Sequence, residues 1–355
     1  MIADTPISQN APFVLNSKKS KSIIQLFALT NAVGTKAIIA NYGHFLESLF
    51  VYDKSRNLIN VIENIKDTLE ANWMAIPPFM FTSDSEYEGN MIGENEDEER
   101  LSSVNFSNTI YFDFERCFSN LVWEVTQPRE NVIELSYLLR KMDKGLPANL
   151  KMKIIYSLSN DNSLKIVLEA LTDKNMIFSF NKHAFFNLNG CNTTNIQGHL
   201  LQINANSYFP VDCNLLPVFD HESSIGTPFD FNKATVIGAR INDNNEQLKN
   251  ANGYHHSFLL NKHSSKTPVA KVMGDKSGIV LEVCTDAPVL HFYSGNAMPF
   301  AANHNVAEKD NYRNAFSIVP QIFNSLNQRV QFPTMVLKAN QPYKLSTTYR
   351  FSVNG

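Results

Sequence analysis

Three of the nine histidines are candidates for proton transfer at neutral pH, for which imidazole is the best suited side chain. His183 opens the run His-Ala-Phe-Phe-Asn-Leu-Asn-Gly, His255 is followed directly by a second histidine, and His291 lies in the run Leu-His-Phe-Tyr. Two imidazoles that meet across a ligand can act as acid and base. Three imidazoles are also a zinc ligand set, but the chain has no close-spaced pair of ligands. We therefore predict no metal site and no cofactor.

The elements that position these histidines are predicted to be short β-strands. Alternating apolar and polar residues occur in short runs, and clusters of Asn, Asp, Thr and Lys at 160–162 and 172–175 form turns between them. Many short strands with frequent turns favour antiparallel sheets in a sandwich or barrel, which is an all-β fold. The predicted strands are 153–158, 164–170, 176–180, 278–283, 289–293 and 343–351.

Composition excludes several classes of function. Hydrophobic residues make up 43% of the 355 residues, enough for a sizeable core, and 25 Phe and 12 Tyr suit strands. A formal charge of −3 without a basic face argues against nucleic acid as a partner. No apolar run reaches the roughly 20 residues of a membrane span, and the N-terminus has no apolar signal region. Four cysteines without a CxxC pair suit a reducing compartment, so we predict a cytoplasmic protein.

One segment is unusually acidic. Residues 83–100 carry eight Asp and Glu side chains and almost no apolar ones, which predicts an exposed loop. A calcium site there is an open alternative, although the spacing does not match an EF-hand. With no internal repeat or linker, the chain is predicted to be a single domain, 1–355, with an acidic loop insertion at about 83–100.

Six segments, in order along the chain, resemble the signatures of the aldose 1-epimerase (galactose mutarotase) family. The first is the His-Ala-Phe-Phe-Asn-Leu-Asn-Gly run at His183, and any one of the six alone is a weak signal. The resemblance implies a galactose mutarotase-like β-supersandwich of large antiparallel sheets, with a sugar-sized cleft across one face. The six segments are 182–190, 199–212, 226–231, 253–258, 285–296 and 316–333.

The resemblance also implies which residues do chemistry. In that family a glutamate base takes the proton of the anomeric hydroxyl while a histidine acid protonates the ring oxygen. His183 matches the acid, but Val319 stands in the position of the glutamate. His255 occupies the position of a substrate-binding aspartate, and His291 replaces a glutamine that contacts sugar hydroxyls. Orthodox mutarotation through position 319 is therefore not expected.

Other positions imply a less polar ligand. Phe112 stands where the family has a second histidine, and Phe81 falls in the position of an asparagine. Unpaired buried polar groups cost roughly 1–3 kcal/mol each, so a cleft lined this way favours a cyclic ligand with fewer hydroxyls. The residues predicted to bind this small molecule, a sugar or a less polar cyclic compound, are His291, Phe112, Asp113, Val319, Phe81 and Tyr254.

Several functions stay open. The favoured interpretation is a repurposed acid/base isomerase, epimerase or cyclase with His183 as acid and His255 as its partner, assisted by Asp113, Glu115 or Asp286. A catalytically inactive carbohydrate- or small-ligand-binding protein is the alternative, and a site of three imidazoles for a metal is another. A true aldose mutarotase with a relocated base, Glu115 or Glu124, is a minor alternative.

Three further histidines are predicted to have ordinary or structural roles. His256 matches a residue that the family already has, and a structural hydrogen bond is its expected role. His199 and His221 lie at a strand edge or in a loop and are expected to be ordinary.

Overall fold

A computed structural model gives the structure of the chain and describes most of its length. The described residues are 13–15, 24–43, 45–63, 121–126, 128–141, 148–178, 184–191, 193–212, 215, 218, 220–296, 313–322 and 335–354. The predicted acidic loop at 83–100 lies outside these residues, and the single domain spanning 1–355 stays a prediction.

Strands dominate the described residues, as predicted. In chain order they are β1 (Phe13–Leu15), β2 (Ile24–Thr30), β3 (Lys36–Ala40), β4 (Leu46–Tyr52), β5 (Leu58–Asn60), β6 (Glu124–Val125), β7 (Val132–Leu139), β8 (Leu150–Leu158), β9 (Ser163–Thr172), β10 (Met176–Phe178), β11 (Phe185–Phe186), β12 (Leu200–Ile203), β13 (Ala205–Phe209), β14 (Glu222–Ser223), β15 (Thr235–Val236), β16 (His255–Leu260), β17 (Ala270–Met273), β18 (Ile279–Thr285), β19 (Val289–Tyr293), β20 (Phe316–Gln321), β21 (Met335–Leu337) and β22 (Tyr343–Val353).

Helical structure is confined to two short pieces in the described residues. One is a 3-10 turn, Ile237–Ala239, and the other is the helix α1, Glu246–Ala251. The side chain of Asn245 accepts hydrogen bonds from the first backbone N–H groups of α1 and so caps it. None of the helices in the described residues is long and apolar enough to cross a membrane.

The strands of the described residues form four antiparallel sheets. The largest has nine strands in the order β15-β12-β17-β18-β22-β9-β8-β7-β6, so β22 joins its two halves. A six-stranded sheet has the order β11-β20-β19-β16-β13-β14. A five-stranded sheet, β1 to β5, and the pair β10-β21 complete the set. This is the predicted all-β architecture of large antiparallel sheets.

Side-chain alternation explains why the nine-stranded sheet forms. In β8 every second residue, from Leu150 through Tyr156 to Leu158, is buried in the main hydrophobic cluster, and the residues between them are more exposed. A period of two places all the apolar side chains of a strand on one face, where they pack against another layer. The strands predicted at 153–158, 164–170, 278–283, 289–293 and 343–351 are confirmed, with bounds shifted by a few residues.

The six-stranded sheet is different because its central strands are buried on both faces. In β19 and β20 every residue is buried. One face, with Phe258, Phe292 and Ile318, belongs to the main hydrophobic cluster. The opposite face of the same strands carries the polar residues described next.

Candidate functional site

Strand register brings two predicted histidines and their neighbours together on one face of the six-stranded sheet. In β16 and β19, His255 pairs with Tyr293 and Ser257 pairs with His291. His291 pairs in turn with Val319 of β20. We call this surface the histidine face; it consists of His255, Ser257, His291, Tyr293, Val319 and Gln321.

Aromatic rings on the histidine face pack edge to face. The ring centroids of His255 and His291 are 4.9 Å apart, with an angle of 78° between the rings. His255 also meets Tyr293 at 5.1 Å and 79°, and Tyr293 meets Phe185 of β11 at 6.5 Å. This is the geometry that aromatic pairs prefer, so each imidazole is held by ring packing as well as by its backbone.

His255 presents an imidazole without a hydrogen-bond partner among the described residues. Its backbone N–H donates to Nδ1 of His256, 3.0 Å away. The side chain is 9% exposed, and burial lowers its pKa to about 4. The ring is therefore neutral at pH 7, with one N–H donor and one lone pair.

His291 contacts the hydroxyl of Ser257, which in turn contacts Gln321. Its Nδ1 atom is 3.0 Å from Oγ of Ser257, and the Ser257 hydroxyl donates to Oε1 of Gln321 over 3.3 Å. All three residues are buried. Buried polar groups that hydrogen-bond to each other hold a defined orientation, because an unsatisfied group is costly.

Val319 introduces an aliphatic side chain beside His291. It is 2% exposed and directly opposite His291 in the strand register. An isopropyl group neither accepts nor donates a proton, so this position supplies no acid or base. Within the described residues no group of three His, Cys, Asp or Glu side chains could hold a metal ion.

Comparison with known proteins identifies the family. The family model for aldose 1-epimerase matches residues 117–350. This chain belongs to the aldose 1-epimerase family. The match includes β16, β19 and β20 and therefore the whole histidine face.

Individual relatives of this family member are moderately similar in sequence. It is 34% identical to an aldose 1-epimerase of Escherichia coli over 180 residues, which are 50% of this chain and 51% of that protein. It is 29% identical to the galactose mutarotase of Sus scrofa over 240 residues, which are 67% of this chain and 68% of that one. The chain thus spans about half the length of the bacterial relative that it matches.

Solved structures support the fold of this family member. A galactose 1-epimerase from Lactobacillus acidophilus superposes with a TM-score of 0.73 at 24% identity, covering 97% of this chain and 99% of that one. An aldose epimerase homologue from C. elegans gives a TM-score of 0.69 at 20% identity, covering 93% and 99%. The predicted galactose mutarotase-like fold is confirmed.

Tyr254 does not join the histidine face of this family member. Its side chain is fully buried, and its ring packs against Phe229, Phe231 and Phe292 in the core. Its hydroxyl donates to the backbone oxygen of Pro228 at 3.1 Å. Because successive residues of an extended chain point to opposite sides, Tyr254 and His255 cannot both face one ligand. The described contacts of Tyr254 are those of a core residue, and its ligand-binding role stays a prediction.

Two other residues predicted to assist in acid/base chemistry, Asp286 and Glu124, lie away from the histidine face. Asp286 is exposed in the turn between β18 and β19, and Glu124 is exposed in β6 at the edge of the nine-stranded sheet. Neither is on the strands of the histidine face. Five further candidates lie outside the described residues: His183, Phe81, Phe112, Asp113 and Glu115.

His256 has the structural role that the sequence predicts. Its Nδ1 accepts the backbone N–H of His255, and its Nε2 lies 3.3 Å from Oε1 of Gln247. That oxygen also accepts the backbone N–H of Val211 at 2.6 Å, so it is an acceptor and Nε2 of His256 is the protonated nitrogen. Both ring nitrogens are used, and His256 is excluded from chemistry.

His199 is structural as well and anchors the segment that follows His183. Its Nε2 accepts the backbone N–H of Leu188 at 3.0 Å, and its Nδ1 is 3.2 Å from Oδ1 of Asp275. The same carboxylate oxygen accepts a hydrogen bond from Nδ2 of Asn189 at 2.8 Å. The side chain is fully buried, and burial lowers its pKa to about 4, so the ring is neutral.

Three residues of the histidine face were missed in the sequence. Ser257 and Tyr293 each lie two positions after a predicted histidine in the same strand, and Gln321 lies two positions after Val319. A period of two in a strand would have placed each of them on the same face as its predicted neighbour. That signal was present for all three.

Proposed function

We propose that this aldose 1-epimerase family member is an acid/base isomerase, epimerase or cyclase for a cyclic ligand that has fewer hydroxyls than a common hexose. His255 is the proton acceptor and His183 is the proton donor. The observation that carries the proposal is the His255 imidazole, which is buried, neutral and without a hydrogen-bond partner among the described residues. Such a ring has both a lone pair and an N–H to offer a ligand.

For a cyclic hemiacetal the steps balance without a cofactor. His255 takes the proton of the anomeric hydroxyl, a C=O bond forms, and the bond between the anomeric carbon and the ring oxygen breaks. His183 gives its proton to that ring oxygen. After rotation of the open form, the former ring oxygen adds to the other side of the carbonyl and gives its proton back to His183. His255 returns its proton to the carbonyl oxygen, so each histidine is back in its starting state.

The preference for fewer hydroxyls is supported by the lining of the histidine face. Val319 offers no hydrogen bond, and Tyr293 and Phe185 present aromatic surface. A hydroxyl buried against such groups loses its water partners at a cost of roughly 1–3 kcal/mol. A ligand with apolar carbons at those points avoids that cost.

A second candidate function is ligand binding without catalysis. It is favoured by the pKa of about 4 for His255, because a base works best when its pKa lies near the working pH. The same neutral ring is a sound hydrogen-bonding group for a ligand.

Anomer exchange measured by NMR with a panel of sugars tests the proposal. We expect little acceleration of galactose or glucose and a clear acceleration of 2-deoxy- or 6-deoxygalactose. His255→Asn keeps a polar side chain but loses the basic nitrogen, so we expect the rate to fall roughly 10²- to 10⁴-fold. The exposed His221 provides a matched control, and His221→Asn is expected to leave the rate unchanged.

The outcomes separate the candidates. Saturation-transfer signals from a deoxy sugar without any exchange would favour the binding protein. Equal acceleration of galactose and deoxy sugars, unaffected by His255→Asn, would contradict the proposal and favour a relocated carboxylate base.

The pH dependence provides an independent prediction. Because kcat/KM follows the ionisation of the free enzyme, and the base must be unprotonated, activity is expected to hold from pH 7 down to about pH 5. It should then fall toward pH 4 as His255 takes up a proton at its pKa of about 4. The profile is measured with a deoxy sugar that the protein turns over. An acid limb centred near 6.5 would contradict a base whose pKa is lowered by burial, and the His255→Asn variant would then decide whether His255 is the base.

A further inference from the structure

The backbone N–H of His255 points to the side of β16 where its neighbouring strand ends. Successive residues of an antiparallel strand face its two neighbours in turn, and the carbonyl of Tyr254 faces β19, since it accepts the N–H of Ser294 at 3.0 Å. His255 therefore faces β13. In the described residues the last pair between β13 and β16 is Phe209 with Ser257, two positions away from His255. The sheet ladder thus ends before it reaches the His255 N–H.

Side chains take the place of the ladder beyond that point. The residue that follows β13, Pro210, has no N–H to donate. The next residue, Val211, donates its N–H at 2.6 Å to Oε1 of Gln247 in α1. The same oxygen lies 3.3 Å from Nε2 of His256, whose Nδ1 accepts the N–H of His255 at 3.0 Å. We call these three hydrogen bonds the Gln247 junction, because one amide oxygen joins the end of β13 to the start of β16.

The two side chains of the junction are themselves held in place. The His256 ring is 1% exposed and packs at an angle of 62° on Phe229, 4.6 Å away between centroids, and at 74° on Tyr208, 5.7 Å away. Asn245 caps α1, and its side chain accepts the N–H of Gln247 at 2.9 Å. The position of Gln247 therefore reaches the His255 backbone through a ring that is packed on two sides.

We propose that Gln247 is a positioning residue for His255, whose backbone it holds through His256 where the sheet ladder has ended. The backbone at residue 255 sets where the imidazole meets the rings of His291 and Tyr293, 4.9 and 5.1 Å away between centroids. A displacement of about 1 Å in a reacting group can lower a rate about 100-fold. Gln247 thus fixes the geometry of the candidate base without touching the ligand.

Gln247 lies outside the segments that resemble the family signatures. The nearest of these are 226–231 and 253–258. Its role follows from the contacts of α1 and not from the resemblance. The effect of Gln247 on catalysis rests on the proposed function, whereas its effect on the position of His255 does not.

Amide hydrogen exchange measured by NMR tests the junction without a ligand. Gln247→Met keeps the length of the side chain but removes the acceptor, so we expect the amides of His255 and Val211 to exchange at least about five-fold faster. The amide of Leu260, which donates to Pro288 from the same strand, should exchange at an unchanged rate. Gln247→Glu retains an acceptor oxygen and is expected to keep the exchange slow at all three amides.

Gln341→Met replaces an exposed glutamine outside the junction and is the matched control, with no change expected. An unchanged rate at His255 in Gln247→Met would overturn the proposal. Faster exchange at Leu260 as well as at His255 would also overturn it, because that result indicates a general loss of stability and not a local role of Gln247.

The tautomer of His256 tests the same junction in the unmodified protein, should Gln247→Met fail to fold. Long-range proton–nitrogen correlation NMR of protein with 15N-labelled histidine distinguishes a protonated ring nitrogen from an unprotonated one. At pH 7.5 we expect unprotonated Nδ1 and protonated Nε2 in His256. Protonated Nδ1 would overturn the proposal, because that nitrogen could not accept the N–H of His255.

Anomer exchange of 2-deoxygalactose tests the consequence for catalysis. We expect Gln247→Met to lower kcat roughly 10- to 100-fold with KM changed less than about two-fold, and Gln247→Glu to recover most of the rate. An unchanged kcat in Gln247→Met would overturn the catalytic effect of the junction. No acceleration of any deoxy sugar by the unmodified protein would instead retire the proposed function, and the amide exchange and tautomer results would then decide the role of Gln247 on their own.

Discussion

Lowering the pH from 7 to 5 is expected to reduce the free energy of unfolding by several kcal/mol. His199 and His255 are neutral in the fold, because burial lowers the pKa of each from 6.5 to about 4. In the unfolded chain each imidazole regains its ordinary pKa. The stability due to these shifts is fully present above pH 6.5 and is lost as the pH falls toward 4, since only the unfolded state binds protons in that window. Each histidine accounts for about 2 kcal/mol at pH 5.

His199→Gln provides the decisive comparison. A glutamine carbonyl can still accept the Leu188 N–H but does not titrate, so one fewer proton is taken up on unfolding. Urea titrations at a series of pH values should then show a slope of stability against pH that is smaller by about 1.4 kcal/mol per unit near pH 5.5. His221→Gln, at an exposed position, is expected to leave the slope unchanged. An unchanged slope in His199→Gln would show that His199 is already charged in the fold.

Gly253→Ala is expected to destabilise the protein by on the order of 3 kcal/mol. Gly253 has φ +134, a conformation that residues with a Cβ rarely adopt, and a Cβ there would overlap the Asn296 side chain, with Cγ only 2.8 Å away. Asn296 is buried and donates to the backbone oxygens of Ala251 and Tyr254 at 2.9 and 3.0 Å. Displacing the Asn296 side chain breaks the hydrogen bonds of the turn that precedes β16 and His255.

Gly226→Ala separates the two causes of that loss. Gly226 has φ +73, but nothing lies within 4 Å of the position that a Cβ would take. Only the backbone cost of roughly 1–2 kcal/mol is expected there. Chemical denaturation of both variants gives the comparison, and equal losses would show that the contact with Asn296 adds nothing.

Much of the fold could be predicted because strand periodicity is a local signal. In β8 and β22, buried residues alternate with more exposed ones along consecutive positions, and both strands appear where predicted. The order of strands could not be derived from such runs, because antiparallel neighbours such as β9 and β22 are far apart in sequence. For that, the resemblance to a family supplied what the local pattern lacks.

Part of the candidate site could be predicted from short motifs. His255 and His291 were identified by their positions in motifs, and the register of β16 and β19 brings them together. The contact of Ser257 with Gln321 depends on the register of three strands, which no short segment specifies. The core position of Tyr254 follows from the alternation of an extended chain, which a motif alone does not express.

The position of β22 constrains how the protein is made. The nine-stranded sheet holds β9 on one side of β22 and β18 on the other, so its halves cannot join before residues 343–353 leave the ribosome. Until then both strands present open edges that can pair with other chains. The edge of β9 is therefore open from the time that this strand leaves the ribosome and the edge of β18 only later, and both stay open until β22 follows.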